Sequence, residues 1–278
     1  MDERDDADLL SIATRGYFFK PVAAFFSAFS LRAYRAAGMR MNSTVLDLGC
    51  GNGEFGALLQ SALGTPEFLL GSDYNQSALR SARERTGYSA VVPADARRLP
   101  FADHSFDTIW AHGVLSVIEP GLPTALNEFR RVLAPDGTLF CTVRTPRFRE
   151  WYFWTRFLHT LGLHRMAEIY ADRMDRRCTA SHTGLSTQDW LKLMDAASLR
   201  VEKVVGFFPN RLVTWWSLLS WQPLRVNGLL KLVPWPALHR AAARAQRALF
   251  GRIYRATPID TDPEACGVIL ISATPRAS

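Results

Sequence analysis

Seven short runs rich in apolar and β-branched residues recur along the chain and predict strands: TVLDLG (44–49), EFLLGSD (67–73), SAVVP (89–93), FDTIWA (106–111), GTLFCTV (137–143), RVEKVVGF (200–207) and CGVILISA (266–273). Helical patterns lie between the earlier runs. NQSALRSARERTG opens on Asn75 as a cap and closes on Gly87, and LPTALNEFRRVL (122–133) ends in the turn APDG. In STQDW, Ser186 and Asp189 form a capping box that starts a helix ahead of the sixth run. Strands alternating with helices predict a parallel α/β sheet covered on both faces through right-handed crossovers. Three segments escape the alternation: aromatic helices up to residue 40, residues 144–185, and a basic, Trp-rich stretch over 209–260.

Composition narrows this picture. At 278 residues, 48% apolar and 21% charged, the chain is globular in type. Its first residues, MDERDDADLL, lack the order of an export signal, so a cytoplasmic location is expected. Cys50, Cys141, Cys178 and Cys266 form no CxxC and share no ligand spacing with the six histidines, which fits a reducing compartment and no structural metal. The longest apolar stretches are broken before about 18 clean residues accumulate, so neither should span a bilayer. The charge of +7 is uneven: residues 201–258 hold nine Lys/Arg against one acid, Glu202.

VLDLGCGNGEFG (45–56) is where the chemistry concentrates. Gly49, Gly51 and Gly53 alternate directly after the first strand, where a backbone can approach a ligand closely and a following helix offers free N–H groups. Gly51, Gly53 and Gly56 also match G-x-G-x-x-G, with an acid, Asp73, some twenty residues on, which is the dinucleotide pattern. Asp47 argues against that reading, because a carboxylate two residues before the turn repels a pyrophosphate and welcomes a cation. Asp73 ends the second strand, placed for ribose hydroxyls, and Tyr74 adds a flat face for a base. Asp95 follows one loop later, within reach of an exocyclic amine. A ligand with a cationic amino-acid end, a ribose and an adenine but no phosphate suits this set: S-adenosylmethionine.

Through VLDLGCGNGEF, LLGSDYNQSAL, VPADARRLPF, FDTIWAHGVLSVIEP and EFRRVLAPDGTLFCTV, the chain resembles the class I S-adenosylmethionine-dependent methyltransferases. Within them it is most similar to the small-molecule branch that includes ubiquinone and menaquinone biosynthesis methyltransferases. The resemblance is close over residues 40–143 and loose over 184–208 and 266–274. It implies a Rossmann-like seven-stranded sheet of order 3-2-1-4-5-7-6, strand seven antiparallel, with helices on both faces and a helical cap. It also implies that Asp47 and the loop Gly49, Cys50, Gly51, Asn52 and Gly53 hold the methionine end. Asp73 would bind the ribose, Tyr74 would flank the adenine, and Asp95 with Ala96 would meet its edge; Ala111 completes the expected cofactor set. The expected organisation is a single methyltransferase domain over 1–278, with its cofactor-binding core at 41–143, a cap at 1–40, and cap insertions at 144–185 and 209–260.

Methyl transfer from a sulfonium is an in-line displacement that demands alignment and exclusion of water, and a base only for a weak nucleophile. His112, just beyond the fourth strand, is the first candidate base, with packing as the blander reading; His182 in ASHTGLS is second, and Tyr17 could position a substrate. Relatives often carry a histidine where this chain has Ser116 and Val117, so no base is assigned by analogy. Aromatics at 17–26, 148–154 and 211–216 belong over the site, either lining an apolar pocket or forming the cap's own core. The expected activity is methylation of a hydrophobic small molecule such as a quinone, polyketide or isoprenoid. The alternatives are a macromolecular acceptor, or a cofactor-binding protein without catalysis. Arg240, Arg244 and Arg247 stand at helical spacing, so the 209–260 segment suits either peripheral contact with the inner membrane surface or a solvated lid. Nucleic acid ranks last because the loop after strand four, AHGV, lacks the Asn/Asp-Pro-Pro-Tyr/Phe element. Oligomeric state is not readable.

Overall fold

The computed structural model describes residues 3–17, 21–41, 43–84, 87–118, 120–177, 184–220, 248, 250–259 and 262–276. Its sheet has seven strands in the order β3-β2-β1-β4-β5-β7-β6. These are β1 (Thr44–Leu48), β2 (Phe68–Asp73), β3 (Ala90–Pro93), β4 (Phe106–His112), β5 (Leu133–Arg144), β6 (Leu199–Gly206) and β7 (Val268–Pro275). Strands β1 to β5 pair in parallel, and β7 runs antiparallel between β5 and β6, as the family resemblance implied. Helices α3 (Glu54–Leu63), α4 (Gln76–Arg83), α5 (Leu122–Val132) and α9 (Thr187–Ala196) pack on the two faces. A strand buried on both faces must be apolar nearly throughout. Thus Val45, Leu46 and Leu48 of β1 are fully or almost fully buried, and Asp47, buried with them, is the one charged side chain in the strand.

Local signals place most ends. The Asn75 side chain accepts from the N–H groups of Ser77 and Ala78 at the start of α4, and Ser186 with Asp189 closes the capping box of α9. Two expectations need correction. The connection from β3 to β4 contains no helix. APDG does not end a free-standing turn: the chain begins pairing at Leu133, opposite Phe106, and the register shifts before Thr138 meets Thr108.

The three segments outside the alternation supply α1 (Glu3–Gly16), α2 (Pro21–Ala36), α6 (Pro146–Glu150), α7 (Phe153–Thr160), α8 (His164–Arg177), α10 (Asn210–Ser220) and a helical run over 250–256. Because β6 ends at the same edge as β5, Phe208 reaches the Gly267 N–H (2.8 Å), and α10 starts beside the ends of the parallel strands. The Phe153 N–H bonds Ser217 Oγ at 2.9 Å, which ties α7 to α10. Phe25, Phe29, Phe148, Tyr152, Phe208 and Tyr254 are at most 2% exposed and pack edge-on or tilted against one another, in one continuous core with Val45, Trp110, Phe140 and Leu270 of the sheet. Among the described residues no helix is long and apolar enough to cross a membrane.

Arg32 locks α2 onto the returning chain. Its Nη1 donates to the carbonyls of Tyr254 (3.0 Å) and Thr257 (2.8 Å), and its guanidinium lies over the Tyr254 ring. Replacing it with leucine leaves buried carbonyls without donors, so Arg32→Leu should lower the urea-unfolding free energy by about 2 kcal/mol. A change under about 0.5 kcal/mol, the size typical of neutral surface sites, would show that the contact does not hold the cap.

Candidate cofactor and acceptor site

The turn after β1 is left-handed at three alternate positions: Gly49, Gly51 and Gly53 have φ of 71°, 54° and 76°. A Cβ on Gly49 would lie 2.3 Å from Val114 Cγ2, whereas one on Gly51 would meet nothing within 4 Å, which is the open side where a ligand can approach. Two N–H groups, of Gly49 and Cys50, donate to the Ser72 carbonyl at 2.6 and 3.0 Å. Gly51 N–H donates to Asp73 Oδ2 at 2.9 Å, and Asn75 N–H to Oδ1 at 2.8 Å. Asp73 is thereby oriented at the end of β2, with lone pairs left over for hydroxyl donors.

Asp47 lies between Gly71 of β2 and Trp110 of β4 in the sheet register and is 3% exposed. Its Oδ2 accepts a 2.5 Å hydrogen bond from the hydroxyl of Tyr88. Removal from water pushes its pKa up to about 7; the Tyr88 hydroxyl opposes that rise, and the negative charge of Asp73 adds to it. The Trp110 indole also favours the charged form, although its buried N–H does not reach hydrogen-bond geometry. Tyr88 was not singled out in the sequence, yet two glycines exist to admit it. A Cβ on Gly56 would sit 2.2 Å from the Tyr88 hydroxyl, and one on Gly71 2.9 Å from its ring. A glycine directly after the apolar run FLL, inside the strand, was the available signal.

Beyond the turn opens a cavity of about 680 Å³. It is lined by Gly49, Gly51, Asp73, Tyr74, Asp95, Ala96 and Arg97 on one side, and by His112, Gly113, Val114, Val117 and Ile118 on the other. Tyr74 is 81% exposed, so its ring is available as a stacking face. Asp95 is bound by Arg97 Nη2 at 2.6 Å and Nε at 3.0 Å, and these bonds hold its carboxyl below the usual range. Arg97 also reaches the Pro120 carbonyl at 3.2 Å. Asp47, Cys50, Asn52, Gly53 and Ala111 do not line the cavity: Cys50, Asn52 and Gly53 belong to the turn itself, and Asp47 and Ala111 to strands β1 and β4.

His112 is stacked on Phe55, with ring centroids 3.7 Å apart and planes within 9°. Its Nδ1 faces Thr142 Oγ1 at 3.1 Å and the buried Tyr34 hydroxyl at 3.5 Å, while Thr142 Oγ1 also accepts from Gly113 N–H at 2.8 Å. Its Nε2 makes no hydrogen bond among the described residues. Burial, and then the positive charge of Arg144, push the imidazole pKa down to about 3. Tyr17 packs at the edge of the buried core and does not line the cavity. His182 lies outside the described residues.

Comparison with known proteins bears on the fold that carries this cavity. Residues 46–141 match the family model described as a methyltransferase domain. Demethylmenaquinone methyltransferase of Staphylococcus aureus is 32% identical over 129 residues, a match that covers 44% of this chain. The chain spans about half the length of the curated relatives it matches, 53% in that case. A Thermotoga maritima S-adenosylmethionine-dependent methyltransferase, described as a possible histamine N-methyltransferase, superposes with a TM-score of 0.58 at 18% identity, over 92% of this chain and 91% of that one. Geranyl diphosphate C-methyltransferase of Streptomyces coelicolor superposes with a TM-score of 0.52 at 14% identity, over 89% and 77%. The fold is therefore that of the class I methyltransferases, and the matched segment runs from β1 to β5, where the sequence resemblance is closest.

The Asp47 carboxyl has a sign to test. Its folded pKa of about 7 lies above the unfolded value, so the stabilisation it gives is complete below about pH 4, falls as pH rises, and is gone once pH has passed about 7. Urea unfolding of the free protein should show stability falling from about pH 4 to 7, by on the order of 4 kcal/mol once pH is past both ends of that window, and this slope should flatten in Asp47→Asn. Equal slopes in the two proteins would mean that Asp47 is ionised throughout.

Proposed function

We propose that this chain is an S-adenosylmethionine-dependent methyltransferase whose acceptor is a small molecule with a largely apolar body and an acidic hydroxyl. The observation that carries the reading is the convergence of Asp73 and Asp95 on one cavity beside a left-handed glycine turn, with the buried Asp47 carboxyl in the strand that leads into that turn, where the lining arginine, Arg97, is already ion-paired. Such a set suits a cationic nucleoside and disfavours a diphosphate. The cavity volume is also of the size that holds a small ligand. Quinone-like and prenyl acceptors are suggested by the relatives' names and by the Val114, Val117 and Ile118 wall.

When bound, the sulfonium supplies an electrophilic methyl carbon and a neutral thioether leaving group. Everything else falls to the chain. Gly51 and Asp73 hold the ribose side of the cavity, Tyr74 covers its outer face, and Asp47 provides negative charge below the turn. Opposite, His112 is fixed by Phe55, Thr142 and Tyr34 and turns Nε2 toward the acceptor. With a pKa of about 3, taking up a proton at neutral pH would cost on the order of 5 kcal/mol, so this imidazole aligns the acceptor oxygen and does not deprotonate it. The acceptor must then ionise largely by itself.

Two measurements test this. Calorimetric titration with S-adenosylmethionine near pH 7 should show binding with net proton release, because a cation near Asp47 draws it toward the carboxylate; Asp73→Ala should bind roughly tenfold or more weakly, the loss expected for charge-assisted hydrogen bonds. Absence of binding by the unaltered protein would remove the proposal. For the acceptor side, His112→Gln should retain kcat within roughly tenfold, whereas loss of a general base costs about 10²–10⁴-fold.

A further inference from the structure

Nine large apolar side chains are exposed among the described residues, and five of them fall between residues 157 and 169: Phe157, Leu161, Leu163, Met166 and Ile169. They belong to the α7–α8 hairpin. Leu161 and Leu163 flank its turn. On α8 the buried side is Ala167, Ala171, Met174 and Asp175, so Met166, Ile169 and Arg173, at spacings of three and four, stand on the opposite, outward face. Arg165 lies beside them, four residues before Ile169. On α7, Phe157 stacks parallel to Phe153 at 6.3 Å and meets Trp154 edge-on at 5.7 Å, which gives the tip a rigid aromatic base.

Charge on the hairpin is sorted by side. Residues 146–177 contain seven arginines and four acids. Arg149 gathers three of the acids, bonding Glu168 at 2.8 Å, Asp172 at 2.7 Å and the buried Asp175, to which Tyr152 also donates at 2.7 Å. The fourth, Glu150, is taken by Arg147 at 3.1 Å. His159 and His164 face each other across the turn, Nδ1 to Nδ1 at 2.8 Å, and His159 Nε2 lies 3.3 Å from Glu168. Arg165 and Arg173 have no acidic partner among the described residues. The outward face thus combines an apolar tip with uncompensated positive charge, its carboxylates drawn to the Arg149 side.

We propose that this face of the α7–α8 hairpin docks on an anionic lipid bilayer, with Leu161, Leu163, Met166 and Ile169 entering the headgroup boundary and Arg165 and Arg173 meeting lipid phosphates. A contiguous apolar patch of this kind on a folded surface marks an interaction site. The charge selects the partner. In a two-fold pairing of copies the same patch faces itself, so the unpaired arginines would crowd like charges, whereas an anionic surface neutralises them. Amphipathic faces with Lys/Arg beside apolar residues lie in the plane of such interfaces. The contact therefore falls on residues 157–173, ahead of the 209–260 segment that the sequence pointed to, most of whose basic stretch lies outside the described residues.

Co-sedimentation of the full chain with vesicles of equimolar phosphatidylglycerol and phosphatidylcholine tests this, with phosphatidylcholine vesicles for comparison. The protein should partition to the anionic vesicles and be released by added salt. Arg165→Gln and Arg173→Gln should each weaken partitioning roughly fivefold, the factor that about 1 kcal/mol per basic residue gives. Ile169→Asp should abolish it, and all three variants should keep the titration with S-adenosylmethionine unchanged, which separates this contact from the cofactor reading. Equal recovery of the variants and the unaltered protein would overturn the proposal. So would a dimer in size-exclusion chromatography that Ile169→Asp disperses while vesicles recover nothing.

Discussion

The site depends on keeping one carboxylate out of water. Asp47 sits near the end of the central strand, where neighbours on both sides and both faces exclude solvent, and a buried carboxylate is costly unless donors satisfy it. The chain meets that cost with Tyr88, whose hydroxyl reaches the carboxylate only because Gly56 and Gly71 leave its ring a slot. The same region fixes the turn above: Ser72 and Asp73, the two residues after Gly71, receive the N–H groups of Gly49, Cys50 and Gly51. One parallel register between β1 and β2 therefore sets both the floor of the cavity and the rim that a ribose would touch.

Much of this was legible along the chain, for physical reasons. The strands are apolar runs bounded by glycines and caps, so their positions and the edge at which Asp47, Asp73 and Asp95 emerge follow from periodicity and punctuation. Tyr88 was not legible because its partner is 41 residues earlier and the pairing exists only once Asp47 and Gly71 are in register. The APDG segment misled because turn chemistry does not show that the preceding Leu133 already pairs with β4. The cap aromatics were ambiguous for a different reason: composition favours burial without saying whether a ligand or the protein itself provides it, and most of them bury one another.

His112 shows how environment overrides residue type. A histidine at the end of a strand beside the cavity invites a base assignment, yet burial and the nearby Arg144 keep it neutral. Thr142, Gly113 and Tyr34 then fix which edge of the ring meets the cavity. In the proposed reading the acceptor side works by shape and alignment, which suits a displacement that needs little proton transfer. The cap aromatics share one core with this face of the sheet, and the α7–α8 hairpin leaves its apolar tip outside it.

What the cavity prefers to hold, a sulfur-centred cation on a nucleoside or a dinucleotide phosphate, decides between the two chemistries its glycine turn allows. Equilibrium competition against labelled S-adenosylmethionine, with S-adenosylhomocysteine and NAD as competitors, measures that preference directly. Displacement by S-adenosylhomocysteine with no effect of NAD at the same concentration is the predicted result. Retention of NAD, with S-adenosylmethionine unable to bind, would contradict it.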